Sequence, residues 1–269
     1  MSREKLLILD FDGTLCLGDD PVLAYAAQVD ELLAERGLAS TLPRPVQQIV
    51  AAGLAADQLL VPEISYRADG TPEAAAQELA GRQPTAKNEA HPVSWPLQDG
   101  YQLTQLLAHQ AGLTGAESGQ CFRAGRRELV AAGLGATDLH APAGAADLLA
   151  EVRRRGVVVV LITNSPAEGF APWLQMLGLR NSFDAVINDA RKPFGMPDAL
   201  QRARSAGQTS IDAEHVLSVG DIWGNDLAHV SIDGGTTILL DRFGTDVGTP
   251  DYRVSAWEKA APIIRRWAD

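Results

Sequence analysis

The amino-acid sequence predicts an α/β fold, a parallel sheet interrupted by a mostly helical insertion. Three observations predict it. Five short apolar runs each meet polar residues at their carboxyl end. Helical patterns lie between these runs. The stretch from 17 to 140 holds no comparable apolar run. Continuous apolar runs are what strands buried on both faces of a parallel sheet look like, and alternation with helices supplies the crossovers.

The first run is Leu6-Leu7-Ile8-Leu9, ending in the turn-like cluster Asp10-Phe11-Asp12-Gly13-Thr14. The second, Val157 to Ile162, runs into Thr163-Asn164-Ser165. The third, Phe183 to Ile187, runs into Asn188-Asp189. The fourth, His215 to Val219, runs into Gly220-Asp221, and the fifth, Thr237 to Leu240, into Asp241. Helices are predicted over Ala143 to Arg155, stopped by Gly156, and over Ala167 to Leu177, stopped by Gly178. Two more follow, Asp198 to Ala206 after Pro197, and Trp257 to Trp267 at the end of the chain. Ligands of open parallel sheets bind at the carboxyl ends of strands, where these polar residues would gather.

Within the insertion, Pro21 to Arg36 reads as a helix with Asp20 as its cap and proline in its first turn. Thr71-Pro72-Glu73 opens another, running to Leu79. Asp99 to Ala111 and Ala116 to Ala131 are two further helical patterns, and Gln83 to Gln98, with three prolines, reads as a long loop. The expected division is 1–16 with 141–269 as one domain and 17–140 as the inserted one.

The bulk numbers narrow the function. The chain has 269 residues and a formal net charge of -11. Such a surface disfavours nucleic acid polymers and anionic membranes as partners, while a local pocket can still take a small phosphate ester. Four apolar residues between Lys5 and Asp10 are too few for a signal-peptide core, and the run Val157 to Ile162 is far short of the roughly 20 residues of a membrane span. A cytoplasmic protein is expected. Cys16 and Cys121 read as reduced thiols.

Asp10 and Asp12 stand two apart at a strand end, so their side chains share a face. Two carboxylates there repel unless they hold a cation or divide acid and base roles. Alone, the pair also reads as a strand-end turn. Thr163 offers a hydroxyl at the second strand end or caps the next helix. Arg191-Lys192-Pro193 past the third strand reads alternatively as a solvated basic pair. Asp221 and Asp226 read alternatively as an Asp-rich loop.

Their order along the chain carries more than each does alone. Asp-x-Asp-Gly-Thr, an apolar run then Thr, Lys-Pro, and an apolar run then Gly-Asp-x4-Asp together resemble the four-motif pattern of haloacid dehalogenase-like hydrolases, in the phosphatase branch with a helical cap inserted after the first motif. The resemblance covers residues 1–16 and 141–269 and implies a Rossmann-like parallel core. Where the family often reads Lys-Pro-x-Pro, this chain has Lys192-Pro193-Phe194-Gly195-Met196-Pro197.

The resemblance implies a Mg²⁺-dependent phosphatase for a small phosphorylated metabolite. Asp10 would be the nucleophile, forming an aspartyl phosphate, and Asp12 the acid and base for the leaving oxygen and the attacking water. Thr163, Asn164 and Lys192 would hold the phosphoryl oxygens. Asp10, Asp12, Asp221 and Asp226 would hold the metal, Asp226 through water or by orienting Lys192. The ionised nucleophile needs that cation: a unit-charge pair at about 4 Å repels by roughly 4 kcal/mol at an effective dielectric near 20. Asp12 speaks against the halide-releasing branch, whose leaving group needs no acid. The phosphonate-cleaving branch uses a cap lysine, for which Lys87 is the one candidate in the insertion, but that branch lacks the second Asp, so Asp12 speaks against it as well. The insertion would cover the site, with Trp95 among the candidates for substrate contact. None of the five histidines shows metal-ligand spacing. A phosphotransferase or mutase on the same intermediate, and a binding module that kept the fold, are the alternatives.

Overall fold

A computed structural model describes residues 5–66, 72–73, 97–207 and 210–269. Six strands form one parallel sheet: β1 (Lys5–Leu9), β2 (Val157–Ile162), β3 (Ala185–Ile187), β4 (Val216–Gly220), β5 (Thr236–Leu240) and β6 (Tyr252–Val254). Their order is β3-β2-β1-β4-β5-β6, so the chain winds outward from β1 in both directions. Leu9 stands opposite both Leu161 and Val219, which brings the ends of the three central strands to one edge. The α/β class read from the sequence is the observed one.

Each face of the sheet is buried for a local reason. Leu6, Ile8, Val158, Val160 and Ile162 share one face and pack with Met196, Ala199 and Ala203 of the helix Met196–Arg204. Leu7, Leu9 and Leu161, of opposite parity, are fully buried on the other face. At ~1.5–3 kcal/mol per large apolar side chain removed from water, these central strands carry much of the unit's stability.

Differences from expectation lie at edges and ends. The strand expected from Phe183 begins at Ala185, because Asp184 turns its carboxylate to Arg153 and to the amide of Val159. The strand expected from His215 begins one residue later, after a 3₁₀ turn over Ala213–His215. The helix expected from Ala167 starts at Ala171, where Pro172 fixes the first turn. The sixth strand, β6, has no counterpart in the sequence reading: it is three residues long, none of them buried.

Among the described residues, those up to Leu17 and from His140 onward form one compact unit, and those from Gly18 to Leu139 form the other. The second unit is helical: Asp20–Glu35, Val46–Ala55, Gly100–Gln110 and Gly115–Ala132. Asp20 is not the cap of the first of these. Its carboxylate accepts from the Asp138 amide, while the Asp138 carboxylate accepts from the amides of Asp19 and Asp20. Val46–Ala55 has no counterpart in the sequence reading; its first amides, Val46 and Gln47, are bound by Asp30. Thr114 and Glu117 form a reciprocal capping box on the last helix. The helix expected at 71–79 and the loop at 83–98, with Lys87, His91 and Trp95, lie outside the described residues apart from 72–73 and 97–98. Among the described residues no helix is long and apolar enough to cross a membrane.

Candidate active site

The site forms where β1, β2, β3 and β4 end. Past Leu9 the chain keeps one more sheet bond, Asp10 N–H to the Val219 carbonyl at 3.0 Å. It then curls tightly: the amides of Leu15 and Cys16 both donate to the Phe11 carbonyl, at 2.9 and 2.8 Å, and Gly13 N–H donates to the Cys16 carbonyl at 3.0 Å. Gly13 has φ +81, and a β-carbon there would fall 2.7 Å from Cγ of Asp221. Only glycine permits both the left-handed turn and this approach of the two acidic segments. Gly220, without a left-handed turn, permits the same close approach to Asp226, whose side chain fills the space a β-carbon would need.

Lys192 holds the centre. Its ammonium donates to Asp10 Oδ1 at 2.5 Å, to Asp226 Oδ1 at 2.6 Å and to the Ile162 carbonyl at 3.0 Å. All three of its protons are used. The loop that carries it is held from both sides. Asn164 accepts from the Lys192 amide at 2.6 Å and donates to the Lys192 carbonyl at 3.1 Å. The next peptide, Lys192–Pro193, is cis. Beyond it the His229 imidazole donates to the Pro193 carbonyl; burial holds that imidazole below its ordinary pKa against the pull of the bond.

The electrostatics follow from burial. Asp10, Asp221, Asp226 and Lys192 are all buried. Three carboxylates against one ammonium leave two negative charges out of water, a costly arrangement unless a cation joins it. Burial pushes the Asp10 carboxyl up to about 7; Lys192 opposes this, and the charges of Asp226 and Asp12 add to it. For Lys192, burial works against the charge, but Asp10 and Asp226 outweigh it and hold its pKa above the ordinary lysine value.

Carboxylate oxygens of Asp10, Asp221 and Asp226 lie within 4.8 Å of one another. An all-oxygen, strongly anionic set suits a hard divalent ion. Both oxygens of Asp226 have protein donors: Oδ1 takes the Lys192 ammonium at 2.6 Å and Oδ2 takes the Ile222 amide at 3.0 Å.

Asp12 is not among the converging oxygens. Its Oδ2 accepts from Ser165 Oγ at 2.6 Å. Thr163 is buried and its hydroxyl accepts from the Ser165 amide at 3.0 Å, which fixes where that hydroxyl sits.

The sequence matches the family model for haloacid dehalogenase-like hydrolase over residues 4–228, most of the chain. The chain belongs to the haloacid dehalogenase-like hydrolases. No curated protein matches it by sequence. Solved structures share its fold at low identity. A predicted phosphoglycolate phosphatase from Haemophilus somnus 129pt is 14% identical with a TM-score of 0.55, over 98% of this chain and 99% of that one. The HAD-hydrolase YfnB from Bacillus subtilis, bound to magnesium, is 16% identical with a TM-score of 0.53, over 98% of this chain and 100% of that one. The L-2-haloacid dehalogenase RSc1362 is 16% identical with a TM-score of 0.50, over 98% and 100%. Fold likeness thus spans phosphatases and dehalogenases, and the choice between them rests on this hydrolase's own residues.

Of the residues singled out in the sequence, the structure brings Asp10, Lys192, Asp221 and Asp226 together and sets Asp12 and Thr163 on the loops beside them. Asn164, expected at the phosphoryl group, spends both ends of its side-chain amide on the Lys192 backbone. Two residues escaped the sequence reading. Ser165 was part of a strand-end cluster with no role of its own, and His229 had no metal-ligand spacing to mark it. Their partners, Asp12 and Pro193, are remote along the chain, so no local pattern could have named them.

Proposed function

We propose that this hydrolase is a magnesium-dependent phosphatase for a small phosphorylated metabolite, working through an aspartyl phosphate on Asp10. One observation carries the reading: an oriented carboxylate, Asp12, stands two residues past the nucleophile, beside an anionic cluster shaped for a divalent ion. Displacing halide from carbon needs neither an acid for the leaving group nor relief from a dianionic substrate. Displacing an alkoxide from a phosphate dianion needs both.

In the mechanism, an Asp10 carboxylate oxygen attacks phosphorus. The ester P–O bond breaks, and Asp12 gives its proton to the departing oxygen. Water then loses a proton to Asp12 and attacks the acyl phosphate, releasing inorganic phosphate and restoring the Asp10 carboxylate. Thr163 would hold a phosphoryl oxygen through its hydroxyl. Lys192 would join it as Asp10 is acylated. The nucleophile's charge then no longer claims the ammonium, and that donor turns to the phosphoryl group. Asp10 and Asp221 would hold Mg²⁺, which supplies positive charge against the repulsion between nucleophile and substrate. Asn164 keeps the Lys192 backbone in place throughout.

The test is direct. Purified protein should release phosphate from p-nitrophenyl phosphate with Mg²⁺, stop in EDTA, and stop when Asp10 is replaced by Asn. A panel of phosphorylated metabolites then ranks substrates. Halide release from a 2-haloacid, with no phosphate release from any ester, would overturn the reading. Transfer to a sugar hydroxyl in preference to water would reassign it as a phosphotransferase.

A further inference from the structure

Ser165 is fully buried and held on every side. Its amide donates to Thr163 Oγ1 at 3.0 Å. Its carbonyl accepts from the Asp189 amide at 3.0 Å and from Asn188 Nδ2 at 3.2 Å. With its backbone fixed by two strand-end loops, its hydroxyl reaches the Asp12 carboxylate at 2.6 Å. A carboxyl acting as donor and then acceptor in one cycle works best when held in one orientation toward the reacting group, and a fixed hydroxyl on one of its oxygens is a simple means to that end.

We propose that Ser165 is the positioning residue for Asp12, its buried hydroxyl holding Oδ2 and so fixing how the Asp12 carboxyl faces the reacting oxygen. This rests on the phosphatase reading above. In the first half of the cycle the ester P–O bond breaks and the Asp12 proton passes to the alkoxide, giving the free alcohol. In the second half a water proton passes to Asp12 as the water oxygen bonds to phosphorus and the bond to Asp10 breaks. Ser165 neither gains nor loses a proton over the cycle.

The consequence is selective. A nitrophenolate leaves phosphorus without help, whereas an alkoxide needs the proton. The quantity to read is kcat/KM, which stops at acylation of Asp10 and is blind to the later water step. Ser165→Ala should lower kcat/KM for β-glycerophosphate by about 10–100-fold, a share of the ~10²–10⁴ a placed acid supplies. It should lower kcat/KM for p-nitrophenyl phosphate by less than about 3-fold. Ser165→Thr, which keeps the hydroxyl, should recover most of the loss. Should the alanine variant fail to fold, Ser165→Cys, with a weak donor of similar size, should show the same selective loss.

An equal fall for both esters, or no fall for either, would overturn the assignment, since a merely structural role cannot tell the leaving groups apart. Wild-type protein that hydrolyses neither ester would instead refute the phosphatase reading, and this one with it.

Discussion

Replacing Asp10 by Asn should abolish turnover and at the same time stabilise the metal-free protein at alkaline pH. The magnitude comes from the raised Asp10 carboxyl. Its ordinary value is 3.8, and burial, only partly opposed by Lys192, lifts it to about 7. Between those values the unfolded chain has lost the proton and the folded chain keeps it, so wild-type stability falls as pH rises. Below the lower value both states are protonated and no cost arises. Above the upper value both are ionised and the cost is constant. Each unit is worth ~1.4 kcal/mol, so from pH 5 to pH 8 the wild type should lose roughly 3 kcal/mol that the Asn variant, with nothing to titrate, does not. Asn also keeps an oxygen for the Lys192 ammonium. Urea unfolding in EDTA at pH 5, 6, 7 and 8 reads the difference between the two proteins. It should move toward the variant across that range and flatten above pH 7. A difference that is the same at pH 5 and pH 8, or that moves toward wild type, refutes the claim that burial of Asp10 outweighs its ion pair.

Two more expectations follow from the same geometry. Mg²⁺ should raise the wild-type melting temperature, more steeply at pH 8 than at pH 6 because binding needs Asp10 ionised, and Asp221→Asn should lose most of that shift. A shift that survives in Asp221→Asn places the ion elsewhere. Asn164→Ala removes two bonds to the Lys192 backbone. It should cost about 1–3 kcal/mol in unfolding free energy, and it should lower kcat more than it raises KM. A variant with normal kcat and raised KM would return Asn164 to the substrate.

The sheet was legible because its central strands are buried on both faces. Leu6-Leu7-Ile8-Leu9 and Val157 to Ile162 cannot be anything polar at any position, so they read as unbroken apolar runs. The acidic ends were legible for the same reason, standing out against what precedes them. What the sequence hid was mostly stabilised from afar. The helix Val46–Ala55 takes its cap from Asp30, on another helix, and Asp20 exchanges bonds with Asp138, 118 residues away. β6 hid because an edge strand buries little and needs no apolar pattern. Asn164 was visible as a candidate at the phosphoryl group, but its two side-chain bonds to the Lys192 backbone, 28 residues on, were not.

Those braces belong to one device. Thr163 N–H donates to the Ile187 carbonyl at 2.9 Å, Ala190 N–H to the Thr163 carbonyl at 3.0 Å, and Asp189 N–H to the Ser165 carbonyl at 3.0 Å. Asp189, in the left-handed region at φ 49, turns its carboxylate to the Ala167 amide at 3.0 Å. The loops after β2 and β3 are thus laced into one rigid piece that carries Lys192 on one arm and, through Ser165, sets Asp12 on the other. Both contacts reach the first motif from the same side of the sheet sequence. The placement of the cation beside Asp10 and of the acid two residues on cannot then vary independently. On the phosphatase reading proposed above, a single scaffold would fix charge neutralisation and proton transfer relative to one nucleophile, the preorganisation that an acyl-phosphate route requires.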